Sequence, residues 1–419
     1  MSKLLIQGPS RLKGEVRVHG AKNSTLPLMA ASLLCDSTCV LHNCPVLSDV
    51  QTSEKILQHL GCHTERSGAD VAIDPRSVEQ SDIPEYLMRE MRSSIVFLGA
   101  IISRMGRAEL SFPGGCELGP RPIDLHLSAL RKMGVEIQED HGCLKCSAPE
   151  GLKGVNIAFS FPSVGATENV LLAACCAQGT TVITNAAREP EICDLAEFLN
   201  QCGANILGAG ESTIVIEGVK NLHGCEHEVI PDRITAATFL AAAAATGSSI
   251  TLTHVLPAHL APVLPLFEES GCRFEIRGKE IRMHTPDRLS RIKNVRTMPY
   301  PGFPTDAQAP MMAMTAVANG TSIFVENIFE SRYKHVGELL RLGANIKVEG
   351  RVAVVEGVGH LSGAPVEAAD LRGGAALVVA GLAAQGETLV SGVRHIDRGY
   401  ECLEKSLCAL GAQVTRLSD

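Results

Sequence analysis

The segment AATFLAAAAATGSSITL, residues 236–252, decides the fold. Its first ten residues offer no polar face, so the helix that they predict must be buried on all sides. Gly247 then ends the helix, and the β-branched run that follows predicts a short strand. A buried helix that leads directly into a strand is typical of an α/β protein.

The same helix, glycine and strand recur along the whole chain. The first copy of the strand opens at Asp36, and the others follow at a spacing of about 70 residues, opening at Gly106, Gly179, Gly247, Gly320 and Gly386. A second glycine series closes an amphipathic helix in each copy, at Gly61, Gly134, Gly203, Gly271, Gly343 and Gly411. Six repeats therefore fill the sequence.

Each repeat reads as β-α-β-α-β-β once the preceding strand is counted. Buried helices inside and sheets outside predict an inside-out α/β barrel, and six repeats favour two domains of three repeats each. One crossing between domains is expected near residues 226–231, and a second near Gly20 if the N-terminal strand pairs with the C-terminal half. The predicted domains are 1–21 plus 229–419, and 22–228.

Composition narrows the function classes. The chain has 419 residues, 45% of them hydrophobic, a formal net charge of −8 and no Trp. A basic face and stacking aromatic residues are both missing, so we expect no nucleic-acid partner. The longest apolar runs fall short of the roughly 20 residues of a membrane span, so we expect no membrane association and a cytoplasmic protein.

Fifteen cysteines are scattered through apolar segments, and Cys408 is among them. This distribution favours reduced thiols, most of them in the core, over a disulfide framework. Cys143 and Cys146 form a CxxC pair, but they lie in a predicted hairpin that sends the two sulfur atoms to opposite faces. No second pair completes a zinc site there, and we predict no metal site.

Charged residues interrupt the apolar repeat at two recurring places. One is the entry to the buried helix, where free N–H groups suit a phosphate or carboxylate. The other is the loop after the first strand, which carries Cys116, Arg121, Arg188, Arg332 and Arg398. If two domains face each other with these ends inward, the cations converge on a cleft between them.

Each of these residues also has a purely structural interpretation. Asp306 and Asp370 stand where aspartate commonly caps a helix. Lys22 and Arg92 oppose the helix dipole, so their alternative is a solvated surface charge. For Arg188 and Arg233 we keep the structural interpretation, a solvated surface charge.

The strongest local signal is the segment FPGGCELGPRP at residues 112–122. Its three glycines and three prolines predict an exposed loop around Cys116. Arg121 stabilises a thiolate, which makes Cys116 a candidate nucleophile or proton donor. The alternative is an incidental loop thiol.

Taken together, several segments resemble the UDP-N-acetylglucosamine 1-carboxyvinyltransferase family of enolpyruvyl transferases. They are GAKN (20–23), RSS (92–94), PGGCELGPRPID (113–124), SVGAT (163–167), FPTD (303–306), ESR (330–332) and DLR (370–372). The resemblance spans the chain, and the cysteine loop separates this family from its fold relatives, such as the shikimate-phosphate enolpyruvyl transferases. A regulator that binds UDP-sugar without turnover is the other alternative.

The resemblance implies phosphoenolpyruvate and UDP-N-acetylglucosamine as partners, no cofactor and the first committed step of peptidoglycan precursor synthesis. It implies catalytic roles for Lys22, Cys116, Asp306 and Arg398, with Cys116 as proton donor and Asp306 on the glucosamine 3-hydroxyl. Further substrate-binding residues are Asn23, Arg92, Arg121, Pro122, Ile123, Asp124, Leu125, Ser163, Val164, Gly165, Ile328, Arg332, Asp370 and Arg372. Some family members carry Lys where this chain has Phe161, so its diphosphate contacts are expected to come from backbone N–H groups or from Arg92.

Overall fold

The computed structural model describes residues 2–112 and 123–418, except for the side chain of Arg92. These residues form two compact units. The first unit holds residues 2–19 and 231–418, and the second unit holds 20–112 and 123–230. The domain limits derived from the sequence, 1–21 with 229–419 and 22–228, stay a prediction.

The described ranges contain thirteen α-helices. They are α1 (Lys22–Ala31), α2 (Ser48–Leu60), α3 (Glu85–Glu90), α4 (Phe97–Met105), α5 (Asp124–Lys132), α6 (Val164–Ala174), α7 (Pro190–Gln201), α8 (Arg233–Ala245), α9 (Leu264–Glu269), α10 (Thr305–Thr315), α11 (Val336–Arg341), α12 (Leu371–Ala383) and α13 (Leu403–Ala409). Short 3-10 helices lie at Ser32–Leu34, Arg92–Val96, Pro257–Leu260 and Val393–Arg398. No helix in the described ranges has the length and apolar composition needed to cross a membrane.

The strands of the same ranges are short, most of them three to five residues. They are β1 (Lys3–Gly8), β2 (Lys13–Arg17), β3 (Cys39–His42), β4 (His63–Ser67), β5 (Asp70–Asp74), β6 (Asp82–Ile83), β7 (Arg107–Ser111), β8 (Glu136–Asp140), β9 (Cys143–Ser147), β10 (Asn156–Ala158), β11 (Thr180–Thr184), β12 (Asn205–Leu207), β13 (Thr213–Glu217), β14 (Glu226–Glu228), β15 (Ser249–Thr253), β16 (Arg273–Arg277), β17 (Glu280–His284), β18 (Asn294–Arg296), β19 (Thr321–Val325), β20 (Asn345–Glu349), β21 (Val352–Glu356), β22 (Pro365–Glu367), β23 (Gly386–Ser391) and β24 (Gln413–Leu417).

Within the described residues these strands form six four-stranded sheets, three in each unit. The first unit has the orders β22-β23-β1-β24, β16-β17-β15-β2 and β18-β19-β21-β20. The second unit has β10-β11-β13-β12, β14-β3-β5-β4 and β6-β7-β9-β8. Each sheet has one parallel pair at an edge and two antiparallel pairs. The predicted β-α-β-α-β-β repeat is thus confirmed.

Two sheets explain why the chain passes twice between the units. Strand β2 pairs in parallel with β15, where Val16 lies opposite Leu252. Strand β14 pairs in parallel with β3, where His227 lies opposite Leu41. Each unit therefore takes one edge strand from a segment remote in sequence. The crossing near Gly20 is expected if the N-terminal strand pairs with the C-terminal half of the chain, and the pairing of β2 with β15 meets that condition.

The helices that begin each repeat form the interior of each unit. In the first unit α8, α10 and α12 pack against one another, and in the second α6 packs on α4. Almost every residue of α8 is buried. Every glycine of both recurring series has a positive φ, for example 106° at Gly61 and 105° at Gly320. Only glycine adopts this conformation readily, so the two series mark the turns that lead from each helix to the next strand.

Candidate functional site

Asp306, in the first turn of α10, binds two arginine side chains of the first unit. Arg372 donates from Nε and Nη2 to Asp306 Oδ2, at 3.1 and 3.0 Å. Arg332 Nη2 donates to the other oxygen at 2.9 Å. The arginine side chains are 2% exposed, whereas that of Asp306 is 27% exposed. Two buried guanidinium groups therefore fix a carboxylate that keeps part of its surface open.

The interpretation of Asp306 as a helix cap is wrong. Pro304 is the N-cap residue of α10, and no side chain caps that helix. Asp370 does cap a helix, because its Oδ1 accepts from the backbone N–H groups of Arg372 and Gly373 at 3.0 and 2.9 Å. That cap fixes the first turn of α12, and hence the place from which Arg372 reaches Asp306.

The aromatic ring of Tyr400 packs against the guanidinium of Arg372. Its guanidinium carbon lies 5.3 Å from the centre of the Tyr400 ring, and the Tyr400 hydroxyl is hydrogen-bonded to Thr238 at 2.8 Å. Burial opposes the charge, but Tyr400 and Asp306 outweigh it and raise the pKa of Arg372 above its usual value. Arg372 Nη1 and Arg332 Nε have no hydrogen-bond partner among the described residues. Buried donors of this kind suit a polar ligand.

The loop after β19 brings Ile328 and Arg332 to the same end of α10. Buried Glu326 anchors the loop by accepting from the backbone N–H groups of Ile328 and Phe329, at 2.8 and 3.0 Å. Its second oxygen accepts from the Thr305 hydroxyl at 3.0 Å. One carboxylate thus ties the predicted substrate-binding loop to the residue beside Asp306.

Arg398 ends the 3-10 helix Val393–Arg398 and is half-buried. The neighbouring Asp397 accepts two hydrogen bonds from Arg416, at 2.9 and 2.7 Å. This bidentate pair holds the turn on β24, so the backbone that carries Arg398 is fixed.

Lys22 begins α1 in the second unit, and its interpretation as a solvated surface charge is wrong. Its Nζ lies 3.0 Å from Asp49 Oδ2, and the two side chains are 9% and 2% exposed. Two residues on, Ser24 donates to Asp194, which also binds His227 at 2.9 Å. The helix end that carries Lys22 and Asn23 is therefore built from paired buried charges.

The segment Ser163 to Gly165 begins α6. Ser163 caps the helix by accepting from the Ala166 backbone N–H at 3.4 Å. His126, on α5, is buried beside it, and its Nδ1 is 2.9 Å from Asn169 Nδ2. Burial lowers the pKa of His126 to about 4, so the ring is neutral. A Cβ atom on Gly165 would lie 3.0 Å from His126 Cε1, so glycine lets the two elements approach.

Part of the predicted site lies outside the described residues. Cys116, Arg121 and Pro122 belong to this part, as does the side chain of Arg92. Of the residues that follow, Ile123 and Leu125 are half-buried and Asp124 is exposed in the first turn of α5.

Arg188 and Arg233, both interpreted from the sequence as solvated surface charges, differ in their surroundings. Arg188 donates to the Gly210 carbonyl at 3.0 Å, which agrees with that interpretation. Arg233 is buried, with its guanidinium 5.6 Å from the ring centre of Tyr300. It is therefore not a solvated charge.

The structure thus brings five of the six predicted residues of the first unit into one cluster, Asp306, Ile328, Arg332, Asp370 and Arg372, while Arg398 lies on a separate turn. Lys22 and Asn23 lie at one helix end of the second unit, and Ser163 to Gly165 at another. Sequence reasoning missed the partners that hold them, which are Asp49, His126, Asn169, Glu326 and Tyr400. The signal for these partners in the sequence is only weak, because each contact joins residues that tertiary folding brings together.

The cysteines differ from expectation in two respects. Cys408 is exposed, not part of the core. Among the described residues the group that could hold a metal ion is Cys35, Cys39 and Cys202, all buried. In the CxxC pair, Cys146 is buried while Cys143 is half-buried.

Comparisons with known proteins agree with this arrangement. The sequence model of the family described as EPSP synthase (3-phosphoshikimate 1-carboxyvinyltransferase) matches residues 6–407. UDP-N-acetylglucosamine 1-carboxyvinyltransferase 2 from Caldanaerobacter subterraneus subsp. tengcongensis is 52% identical over 417 residues and covers 100% of both chains. UDP-N-acetylglucosamine 1-carboxyvinyltransferase from Desulfosudis oleivorans is 48% identical over 418 residues, again covering 100% of both chains.

Solved structures give the same answer at the level of the fold. The enolpyruvyl transferase NikO from Streptomyces tendae matches with a TM-score of 0.90 and 27% identity, covering 100% of this chain and 99% of that one. EPSP synthase from Acinetobacter baumannii matches with a TM-score of 0.75 and 19% identity over 100% of both chains, a likeness of fold alone. With relatives of about half identical sequence along its entire length, the chain belongs to the UDP-N-acetylglucosamine 1-carboxyvinyltransferases of the EPSP synthase family.

Proposed function

We propose that this enzyme transfers the enolpyruvyl group of phosphoenolpyruvate to the 3-hydroxyl of UDP-N-acetylglucosamine and releases phosphate. The reaction is the first committed step of peptidoglycan precursor synthesis, and its proposed location is the cytoplasm. Family membership supports the substrate class. The observation that carries the proposal is the Asp306 carboxylate held between Arg332 and Arg372, with part of its surface open.

In this proposal Asp306 orients the sugar hydroxyl. Each of its oxygens accepts from a buried guanidinium, yet a carboxylate has about four lone-pair sites, so it can also accept the 3-hydroxyl proton. The arginines prevent the carboxylate from rotating, and the hydroxyl oxygen then presents a lone pair to the reacting carbon. Fixed geometry of this kind lowers the entropic part of the barrier.

Lys22, Arg121 and Arg398 are the proposed ligands of the phosphoenolpyruvate anion, with Asn23 orienting it. Lys22 supports this role because its ammonium is buried and already fixed by Asp49. A cation that is fixed before binding loses little entropy when it meets a carboxylate or phosphate. Arg398 stands on a turn that the Arg416 pair holds in place.

The nucleotide is proposed to bind along Arg92, Arg121 to Leu125, Ser163 to Gly165 and Ile328. The first turn of α6 has backbone N–H groups besides the one that Ser163 caps, and these suit the diphosphate. Phe161, where some relatives carry Lys, is 43% exposed and supplies no charge. Backbone donors and Arg92 are therefore the proposed diphosphate contacts.

The proposed chemistry is an addition followed by an elimination. Cys116 gives a proton to C3 of phosphoenolpyruvate while the sugar 3-oxygen attacks C2, and the hydroxyl passes its proton to the Asp306 carboxylate. The resulting tetrahedral ketal then loses phosphate from C2 and returns a proton from C3 to the Cys116 thiolate, which forms the enolpyruvyl ether. These steps require control of charge and protons, so the proposal assigns no cofactor to them.

The test is a phosphate-release assay with purified full-length enzyme and phosphoenolpyruvate. We expect phosphate with UDP-N-acetylglucosamine as acceptor and none with shikimate 3-phosphate. Phosphate with the second acceptor would assign the other enolpyruvyl transfer, and no phosphate with either would leave a binding protein without turnover. Cys116→Ser is expected to lose turnover while Cys116→Asp keeps part of it, because only aspartate is an effective acid. Full activity of the serine variant would exclude the acid role.

A further inference from the structure

Four cysteines from distant parts of the sequence meet inside the second unit. Cys35 follows the 3-10 helix Ser32–Leu34, and Cys39 opens β3. Cys202 ends α7, and Cys225 directly precedes β14. The sulfur atoms of Cys35, Cys39 and Cys202 lie within 4.8 Å of one another. The sulfur of Cys225 is 3.3 Å from that of Cys202.

These distances bring three thiols to the spacing of metal ligands and place a fourth thiol beside one of them. Zinc bonds to thiolate at about 2.3 Å, which places the four sulfur atoms of a tetrahedron about 3.8 Å apart. The sulfur atoms of Cys35, Cys39 and Cys202, at most 4.8 Å apart, have a spacing compatible with that value, and the sulfur of Cys225 lies 3.3 Å from that of Cys202, within reach of the same ion. A disulfide needs about 2.05 Å between sulfur atoms, so the group is not a bonded pair.

The backbone fixes all four positions before any metal binds. Val40 N–H donates to the Cys225 carbonyl at 2.9 Å, and Asp36 N–H donates to the Leu222 carbonyl at 2.8 Å. His223 N–H donates to the Cys202 carbonyl, also at 2.9 Å. Strand β14 also pairs with β3 on the other side of Cys225. The thiols therefore meet through regular hydrogen bonding of the fold.

Charge near the cluster is also suitable. Four thiolates around a divalent zinc ion carry a net charge of −2, which a buried site must offset. Arg104 donates to the Cys35 carbonyl at 3.3 Å and so brings a positive charge beside the cluster. Outer partners of this kind are a regular part of metal sites.

From this geometry we propose that Cys35, Cys39, Cys202 and Cys225 bind a structural zinc ion. Each thiol loses its proton on binding, and the ion joins the first repeat of the second unit to the last. Because β14 closes the sheet that begins with β3, the ion stabilises the closure of that unit. The proposal departs from the sequence-based expectation of no metal site, and it is independent of the proposed catalytic residues.

The test measures metal content in untagged full-length protein purified without chelators and supplied with zinc. We expect about one zinc ion per chain, released by a mercurial thiol reagent. Replacement of zinc by cobalt is expected to give the visible absorption of a tetrahedral thiolate site. Iron at the same thiols, or a Cys202–Cys225 disulfide found by peptide mass mapping, would overturn the assignment.

Variants locate the ion. Cys39→Ser and Cys202→Ser are expected to lower bound zinc at least about tenfold, whereas the matched control Cys146→Ser keeps it. If Cys39→Ser and Cys202→Ser fail to fold, the wild-type enzyme still tests the proposal. Its unfolding temperature is expected to fall on chelation and to recover with zinc but not with magnesium. No bound zinc and no change on chelation would refute the proposal.

Discussion

The Asp306→Asn substitution tests how the charges of the site are held. It keeps the size of the side chain but removes the negative charge that faces Arg332 and Arg372. Removing one partner of a buried ion pair costs about 3–5 kcal/mol. Because Asp306 is 27% exposed, water compensates part of this, and we expect the lower end, about 3 kcal/mol.

The assay is urea unfolding followed by circular dichroism, since the chain has no Trp. The control Asp287→Asn changes an exposed carboxylate of the same unit and is expected to shift the unfolding free energy by less than about 0.5 kcal/mol. In the double variant Asp306→Asn, Arg372→Met, one of the two guanidinium groups that lose their carboxylate is gone, and only that of Arg332 remains. We therefore expect the double variant to be more stable than the sum of the single effects by about 2 kcal/mol.

Two results would refute this reasoning. One is an Asp306→Asn variant as stable as the Asp287→Asn control. The other is additivity of the two single substitutions to within about 0.5 kcal/mol, because independent sites behave in that way. Either would mean that the three side chains do not share one electrostatic interaction.

Three other predictions concern the second unit. Asp49→Asn removes the counter-charge of Lys22 and is expected to lower the free energy of unfolding by about 3 kcal/mol, measured in urea. The control Asp70→Asn changes an exposed carboxylate and is expected to have little effect. Equal urea midpoints for the two variants would contradict this. Gly165→Ala places a Cβ atom 3.0 Å from His126 and is expected to weaken binding of UDP-N-acetylglucosamine about tenfold by calorimetry; unchanged affinity would count against the subsite. Burial lowers the pKa of His126 from 6.5 to about 4. Between these two pH values the unfolded state binds more protons than the folded state, so stability is lost as the pH falls from about 6.5 to about 4. The loss reaches about 3 kcal/mol and is expected to be smaller in His126→Gln; identical pH profiles in urea unfolding would exclude the assignment.

The repeat was predictable because it depends on local chemistry. A helix without a polar face has to be buried, and a glycine that must adopt positive φ recurs wherever the same turn recurs. Gly247 and Gly271, which end the two helices of one repeat, both have positive φ in the structure. The six sheets follow from applying the same rule six times.

The residues that hold the site were not predictable, because their partners are distant in sequence. Arg372 is 66 positions from Asp306, the spacing of one repeat, so the sequence places both at helix starts but does not show that the two side chains meet. Lys22 at a helix start opposes the dipole, which suggested a surface charge, but Asp49 on another helix makes its burial possible. The cysteine cluster was missed for the same reason. Cys35 and Cys39 have an unremarkable spacing, and Cys202 and Cys225 reach them only through the closure of a sheet.

The most direct test of the central claim is a binding comparison of UDP-N-acetylglucosamine with its 3-deoxy analogue, using wild-type enzyme and Asp306→Asn. If Asp306 accepts the 3-hydroxyl proton, the wild type should bind the deoxy compound more weakly by about 1.5–3 kcal/mol, the range for a hydrogen bond to a charged group. The variant should then bind the two compounds almost equally. Equal affinity of the wild type for both would contradict the account.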